Sequence, residues 1–117
     1  MYTRRRRSAI PRTTAPRKQP EGMIVYECIK YLLDRGHYVW RNSVGCCKAG
    51  GRWLQFGKKG SSDILGITGE GKFLAVECKT ATGRLRPEQK EFLDHIRVNG
   101  GSAIVARSVD DLVKEGL

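Results

Sequence analysis

The sequence is poor in the residues that usually build zinc sites. It contains two histidines, and its four cysteines, Cys28, Cys46, Cys47 and Cys78, form no CxxC pair and lie near no pair of histidines. This spacing argues against a zinc site. Cys28 and Cys78 fall within apolar runs and are predicted to be small buried residues. We interpret the vicinal pair Cys46-Cys47 as two unlinked thiols; the alternatives are a strained disulfide and a metal or redox site.

Long apolar runs are missing as well. No stretch of the sequence is apolar over the length needed to cross a bilayer, and no signal-peptide pattern is seen. Together with the unpaired cysteines, these absences predict an intracellular protein of a reducing compartment, without a membrane partner.

Acidic residues are absent from the first 18 positions. The whole chain carries 22 Lys and Arg against 12 Asp and Glu, a net charge of +10, which predicts a polyanionic partner. We predict that residues 1–19 form a basic disordered tail that binds phosphates; a solvated tail without specific contacts fits the composition equally well. The basic residues of the tail are Arg4, Arg5, Arg6, Arg7, Arg12, Arg17 and Lys18.

The remaining residues, 20–117, are predicted to form one α/β domain, because 39% of the 117 residues are hydrophobic and no repeat divides the chain. The spacing of apolar residues predicts a helix over 20–35, strands over 37–41 and 52–57 with a loop over 42–51 between them, a helix opened by Pro87, a strand over 102–107 and a short helix capped by Ser108. The last strand should run parallel to the strand before the Pro87 helix.

Two apolar runs, 60–67 and 72–79, flank a Gly-containing turn and predict a β-hairpin. If its turn is centred on Glu70, Asp63 lies opposite Glu77, and Lys79 shares the face of Glu77 because side chains alternate along a strand. Opposed residues have Cβ atoms about 5 Å apart. The hairpin therefore places two carboxylates and an ammonium at one end of an apolar sheet.

Two carboxylates this close repel each other, and a divalent cation would relieve the conflict. Oxygen ligands open to solvent suit Mg²⁺ or Mn²⁺, and Lys79 could stabilise charge that develops beside the ion. This arrangement favours a hydrolytic centre for a phosphodiester. The alternative is an Asp63–Lys79 ion pair at the sheet end, with Glu77 pointing to solvent.

Other residues are candidates for the same site, each with a structural alternative. Glu21 opens the first helix, where it could serve only the helix dipole, and Glu27 lies on the edge of the same apolar stripe as a second candidate for an inward acid. Gln89 lies on the inner stripe of its helix, where it could bind a ligand or cap a loop. The segment 57–62 joins the second strand to Asp63 and carries Lys58, Lys59, Ser61 and Ser62; its glycines and lysines are typical of a phosphate-binding loop, but also of a solvated one.

Several of these motifs together resemble a known family. They are Glu21, the run 57–63 ending in Asp63, Glu77-Cys78-Lys79, then Thr82-Gly83-Arg84-Leu85 and Pro87-Glu88-Gln89. Over residues 20–113 this set is similar to the VRR-NUC (virus-type replication-repair nuclease) domains of the PD-(D/E)XK nuclease superfamily, especially the small stand-alone ones of bacteriophages. Ser62 stands where the superfamily name has Pro, a residue that only shapes the turn before the acid.

The resemblance implies a restriction-endonuclease-like fold with an αβββαβ core, in which helices flank a mixed sheet. It also implies DNA cleavage with Mg²⁺ or Mn²⁺ in a bacterial or phage-infected host cytoplasm. Asp63, Glu77, the backbone carbonyl of Cys78 and Glu21 would hold or orient the metal, Lys79 would be the catalytic lysine, and Gln89 the polar residue beside the site.

Stand-alone members of this family resemble homodimeric nucleases that act on branched DNA such as four-way junctions or flaps. A homodimer here would use the exposed strand near Trp40 or Trp53, because large apolar side chains on a small domain seek cover. DNA contacts are expected from Lys58, Lys59, Ser61, Ser62, Arg84, Arg86 and Arg4 to Arg7. The alternative function is a non-catalytic basic DNA-binding module.

Overall fold

The computed structural model of the protein describes residues 19–117; the basic tail predicted over 1–19 lies, except for Gln19, outside the described residues. Three helices and six strands follow one another in the order α1 (Glu21–Asp34), β1 (Tyr38–Arg41), β2 (Gly45–Ala49), β3 (Arg52–Phe56), β4 (Ile64–Ile67), β5 (Phe73–Cys78), α2 (Pro87–Val98), β6 (Ser102–Ala106) and α3 (Val109–Lys114). Within this range no helix combines the length and the apolar character that a membrane span requires.

A mixed four-stranded sheet forms the centre of the fold, with the strands in the order β1-β4-β5-β6. β4 and β5 form the predicted hairpin, and its register is confirmed: Leu65 faces Ala75 and Ile67 faces Phe73. β5 and β6 are parallel, as predicted. Together with α1 and α2, the four strands form an αβββαβ core, so the predicted fold class is confirmed.

Helices cover both faces of this sheet. On one face, α1 and α3 bury the main core, to which Ile24, Leu32, Ile64 and Val76 contribute fully buried side chains. On the other face, α2 packs through Leu93 against Ala75 of β5 and Ala103 of β6. The side chains of Asp63 and Glu77 lie on the face that α2 covers. Each is two positions along its strand from Leu65 or Ala75, which lie on that face, and every second side chain of a strand points the same way.

Cys28 and Cys78 are buried in the main core, as predicted, and the four cysteines are all free thiols.

The prediction of a loop over 42–51 is wrong for the central part of this range. Residues Gly45–Ala49 form β2, which pairs only with β3, in a separate two-stranded hairpin. The hairpin turns at Gly50 and Gly51, which have positive φ angles of 57° and 77°, the conformation that a tight hairpin turn requires and glycine adopts without strain. β3 was predicted correctly as a strand, but it lies outside the central sheet.

Candidate active site

The candidate site lies at the end of the β4–β5 hairpin, where the two strands separate. Asp63 immediately precedes β4 and Glu77 is the second-last residue of β5. Continuing the observed register by one step beyond the pair Ile64–Val76 places Asp63 opposite Glu77. The predicted meeting of Asp63, Glu77 and Lys79 therefore follows from strand pairing alone.

Glu77 is the most deeply buried charged residue of the site, with 2% of its surface exposed. Its Oε2 atom accepts a hydrogen bond from Nε2 of Gln89 at 3.0 Å and lies 3.7 Å from Nζ of Lys79. Its Oε1 atom is buried and has no hydrogen-bond partner. Buried carboxylate oxygens are normally satisfied, so Oε1 is the part of Glu77 that is left for a ligand.

The surroundings of Glu77 strongly favour its neutral form. Burial, followed by the negative charge of Asp63, raises the pKa of Glu77 to about 8, although the charge of Lys79 lowers it. The charge of Glu21 raises the pKa further. A divalent cation between the carboxylates would reverse this preference and keep both groups ionised.

Asp63 is oriented by backbone groups of both neighbouring strands. Its Oδ2 atom accepts a hydrogen bond from the backbone N–H of Cys78 at 2.8 Å, and its carbonyl oxygen accepts one from the N–H of Asn42 at 2.7 Å. The thiol of Cys78 points to the opposite side of the sheet, into the main core. A hydrogen bond with Cys28 and burial raise the pKa of this thiol, so it stays neutral and offers a metal no charged ligand.

A hydrogen bond to the backbone fixes the orientation of the Gln89 side chain beside Glu77. Its Oε1 atom accepts a hydrogen bond from the backbone N–H of Arg86 at 2.9 Å, at the start of α2. That bond fixes which end of the amide is the donor, so Nε2 points toward Glu77. Of the two roles open to Gln89 in the sequence, the structure shows the loop cap; its Nε2 atom contacts Glu77, and binding of a ligand stays a prediction.

Asn42 is a residue of the site that sequence reasoning missed. Its Nδ2 atom donates hydrogen bonds to Oγ of Ser61 at 2.7 Å and to the carbonyl of Ser62 at 2.9 Å. It thereby ties the loop before Asp63 to the end of β1. No signal in the sequence connects Asn42 to a loop that lies about twenty positions further along the chain, because only the sheet order brings them together.

The site opens into a cavity of about 380 Å³ that is lined by Asp63, Glu77 and Gln89 and rimmed by the cations Arg41, Lys59 and Arg86. Of the predicted DNA-binding residues, Lys59, Ser61, Ser62 and Arg86 line this cavity.

The other predicted DNA-binding residues take different positions. Lys58 lines a neighbouring depression, Arg84 is exposed outside the cavity, and Arg4 to Arg7 lie outside the described residues. Ser62 is buried beneath the cavity surface, and its hydroxyl has no partner.

The two acids of the first helix have different neighbours. Glu21 is exposed, and its charge acts on Glu77. Glu27 accepts a hydrogen bond from Nε2 of Gln19 at 2.8 Å, and its charge acts on Cys28 in the core. Of the two acids, Glu21 is the one whose charge acts on Glu77, but it does not line the cavity.

Arg107 is a second residue that the sequence analysis did not single out. Its Nη1 atom donates hydrogen bonds to the carbonyl oxygens of Thr80 and Gly83, at 2.6 and 2.8 Å. This contact pins the loop that follows Lys79 to the end of β6. The same loop leads to Arg84, one of the predicted DNA contacts.

The donor set fits a hard divalent cation. Asp63 and Glu77 present carboxylate oxygens, the ligands that Mg²⁺ and Mn²⁺ prefer, and the Oε1 atom of Glu77 is buried without a hydrogen-bond partner. Within residues 19–117 no three His, Cys, Asp or Glu side chains cluster closely enough to hold a metal by themselves. A cation here would therefore need oxygen ligands beyond the two carboxylates.

Comparison with known proteins gives the family of the chain. No curated protein matches the sequence. The model of the VRR-NUC domain family matches residues 41–110, more than half of the chain, and this range includes Asp63, Glu77, Lys79 and Gln89. The protein therefore belongs to the VRR-NUC family of nuclease domains.

Proposed function

We propose that the protein is a DNA endonuclease that uses Mg²⁺ or Mn²⁺ to hydrolyse phosphodiester bonds in branched DNA such as four-way junctions or flaps. The observation that carries this proposal is the buried, unpartnered Oε1 atom of Glu77 beside Asp63, at the floor of an open cavity. A protein that only bound DNA would gain nothing from acids facing the phosphates.

In this proposal Asp63 and Glu77 hold the metal directly. The backbone carbonyl of Cys78 would be a further ligand, and Glu21 would orient the metal shell through its charge, which also acts on Glu77. The chemistry that a divalent cation supplies when bound is to make an attacking water more acidic and to offset negative charge on the phosphate.

Lys79 and Gln89 then have separate roles around Glu77. The ammonium of Lys79 can donate to an attacking water or to a phosphate oxygen, since it lies within 3.7 Å of Glu77 and is not locked in a closer ion pair. Gln89 is a positioning residue: its hydrogen bond holds Oε2 of Glu77, while Oε1 stays buried and without a hydrogen-bond partner.

The cations around the cavity provide the proposed DNA contacts. Lys59 and Arg86 lie on its rim with Arg41, while Lys58 lines a neighbouring depression and Arg84 is exposed outside the cavity. Ser61 and Ser62 belong to the same loop, and Arg4 to Arg7 would add contacts that weaken with salt. Apart from Ser62, whose side chain is buried, these groups bind the phosphate backbone and carry no base-sequence information.

We further propose a homodimer that buries the part of the central sheet which α2 leaves open. Tyr38 and Trp40 of β1, Ile67 of β4 and Phe73 of β5 share this face, and they are between 43% and 70% exposed. Such a contiguous apolar face is typical of a protein interface. Of the two tryptophans predicted at the interface, Trp40 belongs to this face and Trp53 does not.

The test of the proposed function is a cleavage panel of linear, flap, fork and four-way DNA, each with Mg²⁺, Mn²⁺ or EDTA. We expect metal-dependent cutting of the branched substrates. Asp63→Ala should reduce the cleavage rate by at least about a thousandfold, since a metal ligand worth several kcal/mol is lost. Its affinity for DNA should be unchanged. Asp110→Ala, an exposed acid on α3 across the sheet, is the matched control and should cleave normally.

Two outcomes would overturn the proposal. Mg²⁺-dependent cleavage retained by Asp63→Ala would remove the site. DNA binding by the unsubstituted protein, without cleavage of any substrate in either metal, would favour the non-catalytic binding module instead.

A further inference from the structure

We propose that the face of the β2–β3 hairpin that carries Lys48 and Trp53 binds DNA by stacking an unpaired base on the Trp53 ring. This inference rests on the proposed function, and it adds a part of the substrate that the active-site cavity cannot read: bases that are unstacked at a fork, flap or junction.

Trp53 is presented to solvent rather than packed. In the register of the hairpin Lys48 pairs with Trp53 and Cys46 with Gln55, so these four side chains share one face. The ring of Trp53 is 70% exposed, and Nζ of Lys48 lies 5.9 Å from its centroid. An exposed aromatic ring beside a cation is the combination that binds single-stranded nucleic acid without sequence preference.

The charge of the surrounding segment favours DNA. Between Asp34 and Asp63 the sequence contains no acidic residue and six basic ones. Two of these, Lys48 and Arg52, lie on the hairpin itself, and Lys58 and Lys59 follow it directly. A polyanion is attracted along this whole segment.

The hairpin is rooted at the mouth of the active-site cavity. Val44, which lines the cavity, immediately precedes β2. At the other end of the hairpin, Gly57 packs so closely that a Cβ atom on it would lie 2.6 Å from the carbonyl oxygen of Ser43. Trp53 lies three residues before the end of β3, or about 10 Å along the strand. A DNA strand held at Asp63 can therefore reach Trp53 within a few nucleotides.

A second copy of the chain fits this face less well than DNA does. In a two-fold contact through this face each residue meets the same surface of its partner, so the Lys48 side chains of both copies would be brought together without an acid of the hairpin to pair with. The apolar residues of the hairpin, Leu54 and Phe56, lie on its opposite face.

The inference is tested by binding of labelled DNA to the full chain in EDTA, where cleavage is prevented. Two substrates of equal length are compared, a fork with unpaired arms and a blunt duplex. Trp53→Ala should weaken fork binding by about tenfold or more and duplex binding by less than about twofold. Trp53→Phe should largely restore fork binding, and Val98→Ala, which shortens another exposed apolar side chain, should have no effect.

A second readout reports on the ring itself. The chain has two tryptophans, so Trp40→Phe leaves Trp53 as the sole source of tryptophan fluorescence. The fork should quench this fluorescence, and the blunt duplex should not. Lys48→Ala should make the slope of the logarithm of the binding constant against the logarithm of the salt concentration shallower by about 1, the value of one phosphate contact, on both substrates.

Three results would overturn the inference. They are equal fork affinity for Trp53→Ala and the unsubstituted protein, an equal loss on fork and duplex, and a halved mass of Trp53→Ala in light scattering, which would assign the face to a second copy. If the unsubstituted protein binds and cleaves forks while Trp53→Ala behaves identically, only this inference fails. If the unsubstituted protein binds no DNA, the proposed function fails with it.

Discussion

The two oxygens of Glu77 have different surroundings, and the difference separates function from stability. Oε2 accepts a hydrogen bond from Gln89 and faces Lys79, whereas Oε1 is buried without a partner. An unsatisfied buried polar atom costs about 1–3 kcal/mol. A residue kept only for folding would be better replaced by an apolar one, so the arrangement points to a ligand that completes it.

At the same scale we predict an unusual pH dependence of stability for the metal-free protein. The pKa of Glu77 is raised from 4.5 to about 8 in the folded protein, by burial first and the charge of Asp63 second. Between these two pH values the folded state keeps a proton that the unfolded chain has released. The free energy of unfolding should therefore fall as the pH rises through this range, by up to about 1.4 kcal/mol per pH unit.

Urea unfolding in EDTA at pH 5, 6, 7 and 8 measures this slope. Glu77→Gln removes the titrating group and should flatten it, while Asp110→Asn, at an exposed position on α3, should retain it. Because a metal requires the ionised carboxylate, Mn²⁺ should stabilise the unsubstituted protein more at pH 8 than at pH 6. An unchanged slope in Glu77→Gln would show that another group carries the pH dependence.

At the scale of elements, one glycine allows the loop before β4 to pack closely against the start of α2. Gly60 has a φ of +88°, and a Cβ atom there would lie 2.6 Å from the carbonyl oxygen of Glu88. Both facts exclude a side chain, since the backbone of α2 cannot move aside without shifting Gln89. The loop that carries Lys59 and Asp63 is thereby fixed to the helix that orients Glu77.

Gly60→Ala and Gly71→Ala form a matched pair that tests this contact. Gly71 has nearly the same φ, +89°, but nothing lies within 4 Å of its added Cβ, so Gly71→Ala should cost only the conformational strain of about 1–2 kcal/mol. Gly60→Ala should cost clearly more and should also reduce DNA cleavage. Equal melting temperatures for the two variants would show that the loop adapts without moving α2.

Some elements could be predicted from the sequence because their signals are local. The apolar alternation on both sides of Glu70 fixes the β4–β5 register, and helical spacing turns Gln89 inward. β2 could not be assigned in the same way, because Cys46-Cys47-Lys48 has little strand character and only pairing with β3 makes it a strand. The dipeptide Gly50-Gly51 was the overlooked signal, since such a pair is typical of a two-residue hairpin turn.

The choice between the two acids of α1 needed the tertiary structure. Glu21 and Glu27 are both compatible with the apolar stripe of the helix, and their spacing does not decide which one faces the site. Packing of the helix across the main core leaves Glu27 beside Gln19 and Cys28, and only Glu21 acts on Glu77. Arg107 was missed for the same reason, because its partners lie on a loop more than twenty residues earlier.

At the scale of the whole molecule, residues 19–117 of one protomer offer a single site of this kind, while paired cutting of a four-way junction would require two. The uncovered face of β1, β4 and β5 gives a physical reason for two protomers to associate. α2 covers β5 and β6 but leaves Tyr38, Trp40 and Ile67 exposed. The basic hairpin lies outside this face, so both protomers could keep it free for DNA.

The proposed dimer predicts a two-protomer mass at micromolar concentration in light scattering. Trp40→Glu places a carboxylate in the apolar face, where burying an unpaired charge costs several kcal/mol. The substitution should raise the dissociation constant of the dimer by at least about a hundredfold, so that the protein is monomeric. Trp53→Glu adds the same charge outside the face and should remain dimeric.

On a four-way junction the monomeric variant should release singly nicked intermediates, whereas the dimer should cut both strands within one binding event. A monomeric mass for the unsubstituted protein would rule out the dimer, and paired cutting by Trp40→Glu would separate junction cleavage from association through this face.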